Sequence, residues 1–320
     1  MAYTTIDDPS AYFQTKLYTG TQNSHAITLD GNSDLQPDWV WIKCRDDSHN
    51  HQVFDSVRGV HKRMRTDTTG AETTSDQSLK SFDSDGFTLG TEQNVNASAS
   101  NDNSFVAWNW KAGTSFSNDA SATSVGTIDS TGSVSDTAGF SIVSYTGTGS
   151  AGTVKHGLST TPAVVLVKSR GGVYGWGMYH HKNTSAPETD YLSINNTDAT
   201  VDDVNFWNDT APTSSVFSLG GTDAINKAST THIAYCFAEK KGYSKFDSYT
   251  GNGNADGAFV YTGFSPSFVM VKASSATGNW TMFDNKRSPF NFVDNHLYAN
   301  TDVAEQTASA GYIDFLSNGF

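Results

Sequence analysis

The sequence predicts an all-β protein built from tandem β-sandwich repeats of jelly-roll or concanavalin-like type, the third copy lacking its last strand. Three observations carry this. First, a proline, one small or polar residue, four apolar residues and a lysine recur as PDWVWIK at 37–43, PAVVLVK at 162–168 and PSFVMVK at 266–272. Second, the surroundings repeat too. The triplet YTG lies upstream at 18–20, 145–147 and 249–251, and an aromatic follows each proline by 17 residues, at Phe54, Tyr179 and Phe283. Third, Gly, Asn, Asp, Ser and Thr punctuate the apolar runs every 8–15 residues, which suits sandwiches and not βαβ units.

The repeats divide the chain. A first sandwich with a short N-terminal arm spans 1–113, a Ser/Thr/Gly-rich linker 114–139, a second repeat 140–242 and an incomplete third 243–320. FTLG at 87–90 matches FSLG at 217–220, and SFDSDGF at 81–87 matches DFLSNGF at 314–320. FVAWNWKAG at 105–113 matches HIAYCFAEKKG at 232–242, and the third copy stops before this piece. A copy of roughly 100 residues is long enough for a core of its own. The linker, with Phe116 its one aromatic, is expected to run extended and to contribute a strand. Copies two and three abut at Gly242–Tyr243, so they are expected to be stiffly joined and copy one more loosely. A sandwich short of one strand exposes an edge. Either a longer natural polypeptide or a partner chain would cover it.

The elements follow from local pattern. WVWI, VVLV and FVMV are apolar at both odd and even positions, so each reads as a central strand covered on both faces. Each preceding proline stands where it costs no ladder bond. Lys43, Lys168 and Lys272 are expected at the strand's exit to solvent, with their stems closing the core edge. Residues 299–310 are the best helical candidate, with a weak period.

Charge and cysteine use exclude several classes. A net charge of −13 repels phosphate backbones, so no nucleic-acid partner is expected. No apolar run approaches the ~20 residues of a membrane span, and the N-terminus has no basic or apolar signal region. Cys44 and Cys236 fall at different places in the repeat, so both read as free thiols in a chain made in a reducing cytosol.

Candidate chemistry is sparse. FDSDGF at 82–87 contains the Asp-x-Asp-Gly of calcium loops, but the matching places lack the aspartates, so a hairpin turn is expected. His49 and His51, two apart, would share one face of a strand, and in a three-fold assembly such pairs could present six nitrogens to one ion. A polar loop is the plainer reading, and no metal site or cofactor is assigned. His180 and His181 are adjacent and would point apart in a strand. No nucleophile elbow, zinc-protease or P-loop pattern occurs, so no enzyme is expected. Tyr174 and Trp176, with Asn279 and Trp280 in the third copy, are candidate sugar contacts: aromatic faces with an amide beside them. The competing reading packs both indoles inside, because each lies three residues before the recurring aromatic.

The opening AYTTIDDPSAYFQTKLYTG, the phrase PDWVWIKCRD with VFDSVRG, then SFDSDGFTLG, FVAWNWKAG and GFSIVSYTGTGSAGTVKHGLSTTPAVVLVKSR together resemble repeat domains in tail and tail-fibre proteins of marine bacteriophages. The resemblance covers most of the chain. It implies a non-enzymatic structural protein of the virion tail, made in the host cytoplasm and contributing to host-surface attachment. Implied partners are further copies in a homotrimer, other tail proteins and a host-cell surface glycan or receptor. The alternatives are a lectin-like carbohydrate-binding adhesin outside a virion and a surface-polysaccharide depolymerase. The resemblance supplies no site residues.

Overall fold

Each lysine-terminated phrase forms a strand, and a sheet assembles around it. The computed structural model describes residues 4–98, 103–307 and 311–320. In the first repeat the strands are β1 (Phe13–Thr19), β2 (His25–Thr28), β3 (Trp39–Cys44), β4 (Gln52–Asp55), β5 (Lys62–Arg63), β6 (Thr73–Thr74), β7 (Leu79–Asp83), β8 (Gly86–Leu89) and, after the helical turn α1 (Gln93–Asn96), β9 (Ser104–Trp110). An antiparallel sheet of order β1-β9-β3-β4 faces a second of order β2-β8-β7. Val40, Ile42, Phe54, Phe87, Leu89 and Phe105 fill the space between. The chain is all-β with this sandwich packing, as the alternation predicted. FDSDGF makes the β7–β8 hairpin, with Asp83 opposite Gly86. Gly86 has φ +117, and a Cβ there would lie 1.9 Å from the Ile27 carbonyl oxygen, so no other residue fits this turn.

The second repeat contains β10 (Thr114–Asn118), α2 (Ala120–Thr123), β11 (Ser130–Ser135), β12 (Phe140–Thr146), β13 (Gly152–Lys155), β14 (Val164–Ser169), β15 (Gly177–His180), β16 (Asp190–Tyr191), β17 (Val201–Asp202), α3 (Val204–Trp207), β18 (Val216–Leu219), α4 (Asp223–Asn226) and β19 (Thr231–Phe237). Its main sheet runs β10-β11-β12-β19-β14-β15, with β13-β18 opposite. The linker is therefore no free tether: β10 and β11 extend this sheet beyond β12. The third repeat holds β20 (Phe268–Val271), β21 (Thr281–Asp284), β22 (Asn295–Tyr298) and β23 (Gln306–Thr307), in that spatial order. The helical candidate fails over 299–307, where β23 lies, and its residues 308–310 are outside those described.

The odd and even positions of the central strands serve different cores. Val40 and Ile42 face their own sandwich, as do Val165 and Val167. Trp39, Trp41, Val164 and Leu166 face a separate core, where Phe268 and Met270 join them at its margin. Trp108, Tyr235, Trp176, Trp280, Met282 and Leu297 complete it. This core belongs to no single repeat. It joins all three, so the first is not loosely attached.

Backbone hydrogen bonds show how the ring closes. The Glu72 N–H donates to the Arg170 carbonyl at 2.9 Å, that of Thr200 to Ser274 at 2.8 Å, and that of Glu305 to Arg45. Repeat one thus touches two, two touches three, and three touches one. Ring nitrogens follow the same circuit. Trp176 Nε1 donates to the Arg65 carbonyl at 2.8 Å, Trp280 Nε1 to that of Ser193 at 3.0 Å, and His51 Nε2 meets that of Tyr298 at 3.1 Å.

Two of the three contacts carry a buried ionic chain. Arg170 grips Glu72 at 2.9 and 3.0 Å, Glu72 meets Arg58 at 3.2 Å, Arg58 pairs with Asp55, and the Tyr235 hydroxyl donates to Asp55 at 2.6 Å. The copy at the other contact runs Arg45, Glu305, Arg287, Asp284 and the Trp108 indole, with Arg45–Glu305 at 2.7 Å and Trp108–Asp284 at 3.1 Å. Burial works against the Glu72 carboxylate, but Arg170 and Arg58 outweigh it and hold its pKa below the usual range.

The lysines correct one expectation. Lys43 and Lys168 do not exit to solvent but are fully buried. Lys168 Nζ donates to the carbonyls of Thr69 and Tyr174, at 3.1 and 2.7 Å, and Lys43 Nζ to that of Cys44 at 2.6 Å. Burial lowers the pKa of Lys168 to about 8. Lys272 remains partly exposed.

Replacing Arg58 with leucine removes one partner from a chain whose Asp55 has no access to water. The expected loss is about 3–5 kcal/mol of stability, read by chemical denaturation.

Candidate functional site

The sequence-derived sugar contacts do not form a site. Trp176 and Trp280 are 1% and 4% exposed, inside the shared core, with their indole N–H groups held by backbone carbonyls. Neither offers a face to a sugar, and the core-packing reading is the correct one. Tyr174 lies on a loop of the second repeat, where its hydroxyl donates to Asp223 at 2.9 Å and accepts from Lys227 at 2.6 Å. The Asn279 Oδ1 accepts from Asn300 at 2.9 Å in the third repeat. Both polar groups are thus engaged by protein.

The histidine pair separates as well. His51 is buried, and its Nδ1 accepts the Trp41 indole hydrogen at 2.8 Å. Its Nε2 therefore carries the hydrogen donated to Tyr298. Burial, with Lys43 nearby, pushes its pKa well below the ordinary value. His49 lies instead 3.9 Å from Asp47 near the surface. In the hairpin, Asp83 accepts from the Thr88 hydroxyl and Asp85 from the Leu35 N–H, so protein donors occupy both carboxylates. Among the described residues no group of three or more His, Cys, Asp or Glu could hold a metal ion. Cys44 and Cys236 are free and buried. Burial raises the Cys236 thiol to about 12, so it is not a nucleophile near neutral pH.

What the sequence did not single out is the outer side of the third repeat. Tyr249, Phe259 and Tyr261 are 48%, 55% and 60% exposed there. They line a surface cleft of about 680 Å³ with Lys245 and Asp247. Lys245 bridges Glu239 and Asp247, each at 3.1 Å, so the charges at the rim are already balanced. The tyrosine of each YTG shows why this side differs. Tyr18 donates its hydroxyl to the Val95 carbonyl in α1, and Tyr145 to that of Ile225 in α4. Tyr249 keeps only the ring contact. It meets Phe320 at 6.2 Å, as Tyr18 meets Phe87 at 6.4 Å and Tyr145 meets Phe217 at 6.0 Å. The recurrence of YTG and of the final aromatic carried this signal; the exposure followed only from packing.

Two predictions separate buried from exposed groups. Trp176→Ala and Trp280→Ala each cost about 3–5 kcal/mol in denaturant titrations, whereas Tyr249→Ala and Tyr261→Ala stay within about 0.5 kcal/mol of the parent chain. The second concerns pH. Burial depresses the pKa of His156 and of His232 from 6.5 to about 4, against the weaker opposing pull of the Thr213 and Thr230 carbonyls. Between those values the unfolded chain binds protons that the folded chain does not. Stability is therefore expected to fall as pH drops from 6.5 towards 4, by about 3 kcal/mol for each ring, and denaturation midpoints at several pH values measure it.

Comparison with known proteins follows this geometry closely in extent. No curated protein and no solved structure matches the chain. A family model described as a domain of unknown function, DUF7483, matches residues 8–320, so it takes in all three repeats, and the chain belongs to that family.

Proposed function

We propose that this chain is a structural protein of a bacteriophage virion, placed in the tail or tail fibre and contributing to host-surface attachment. The observation that carries the reading is the ring. Three repeats share one aromatic core and are pinned by buried ionic chains, which makes a stiff block suited to load-bearing assembly. The resemblance of the repeated phrases to phage tail domains supports the same reading. Its partners are other tail proteins, further copies of the chain in a homotrimer, and a host-surface glycan or receptor. Its setting is the virion, after synthesis in the host cytoplasm.

A lectin-like adhesin is the second reading, favoured by the exposed Tyr249, Phe259 and Tyr261 around one cleft. Aromatic faces beside polar groups are what sugar rings stack on.

Purified phage particles are expected to contain the chain, located by mass spectrometry and by antibody labelling at the tail. Within the same system, Tyr249→Ala or Tyr261→Ala is expected to weaken adsorption to host cells by about ten-fold. Particles that lack the chain sink the virion reading. Full adsorption by both variants removes the cleft from attachment.

A further inference from the structure

We infer that the third repeat is an acceptor for a donated β-strand, bound along the free edge of β20 by an extended peptide segment of the β9 and β19 type. In the first repeat β9 lies between β1 and β3, pairing residue for residue with both. In the second, β19 lies in the same way between β12 and β14. The third repeat has the flanking parts of this arrangement without the middle one. The stretch YSKFDSYTG at 243–251 corresponds to the sequence of β1 and β12, and β20 to β3 and β14. Yet β20 pairs with β21 alone and ends its sheet.

The uncovered edge is also visible in burial. Val40, Ile42, Val165 and Val167 are all 0% exposed behind their middle strands. Their counterparts differ: Val269 is 9% exposed and Val271 only partly buried. An edge with both paired neighbours absent on one side, beside apolar side chains, is a template for strand addition.

The two complete repeats specify the chemistry of the occupant. SFVAWNW in β9 and THIAYCF in β19 share an aromatic or His, then Val or Ile, then Ala, then Trp or Tyr, one spacer and a final aromatic. The small Ala faces the repeat's own sandwich, while Val106, Ile233, Trp108 and Tyr235 face the shared core. Trp108 and Tyr235 also reach an acceptor on the preceding repeat in the ring, Asp284 and Asp55. Those aspartates stand opposite Phe268 and Trp39 in their sheets, and the residue opposite Val164 is His180. His180 is thus the acceptor that a Trp or Tyr of the donated strand would meet. The partner is a polypeptide segment of this pattern. A glycan or an isolated apolar ligand could not supply the ladder of backbone hydrogen bonds.

The test uses the 320-residue chain with two synthetic peptides, residues 103–113 and 230–240 of its own sequence. Saturable binding at micromolar concentration is expected by calorimetry. Hydrogen exchange is expected to slow at 268–271 and at 244–250, the two sides of the gap. A peptide with proline in place of Ala107 is expected to bind at least about ten-fold more weakly, because proline removes a ladder donor. Absence of binding, equal binding of a scrambled peptide, or protection confined to another edge such as β1 overturns the assignment. So does a stable dimer of the chain, seen by light scattering, in which β20 is already protected without peptide; that result would give the edge to a second copy. None of these readouts depends on whether the chain is found in virions.

Discussion

The packing of aromatic side chains from three repeats into one core is the constraint on which the rest of the structure depends. Trp39 shows it directly. Its ring lies 4.5 Å from Trp110 of its own repeat and 4.6 Å from Tyr235 of the next. Phe268 of the third repeat meets Trp108 at 5.7 Å and Phe13 at 5.9 Å. Each central strand therefore borders two interiors, a private one between its sheets and a common one between repeats. That double duty is the reason WVWI and VVLV have no polar face.

The buried ionic chains make sense against this core. A charge carried into it survives only if its partners come too, since one unpaired buried ion costs several kcal/mol. The contact between the second and third repeats shows the converse. Thr200 stands where Glu72 and Glu305 stand elsewhere, Ser274 replaces an arginine, and Asn183 replaces Arg58 and Arg287. The Thr200 hydroxyl meets Asn183 at 2.7 Å, in place of the Arg–Glu pair. The charges have gone together, and a neutral hydrogen bond has taken over while the backbone bond from residue 200 remains.

Much of the fold was legible from spacing alone. Recurrence located the central strands and the β7–β8 hairpin, and Asp83 and Asp85 proved to be turn residues. The shared core was not legible. A strand apolar on both faces states that both are covered, but not by what. For the same reason Lys43 and Lys168 were misplaced: a lysine after an apolar run usually meets water, and here neighbouring loops supply carbonyls instead. The candidate site fared worse. Trp176 and Trp280 looked available because their flanks are rich in glycine, yet they occupy the ring place that His51 holds in the first repeat. The exposed aromatics of the third repeat carry the same sequence phrases as their buried counterparts. Only the absence of a covering element distinguishes them, and that is a property of packing.

Closure of the ring joins residues that are far apart along the chain. Arg45 and Glu305 are separated by 260 positions. On a ribosome the first repeat is complete well before its partner in that ion pair exists. Until then the large indoles of β3 and β9 have half of their final surroundings. Such a chain has high contact order, so its last step is slow relative to the folding of each sandwich. During that interval the apolar inner faces are open to chaperones and to other nascent copies. Yield on expression is thus governed by how fast the third repeat arrives, more than by the stability of the finished protein.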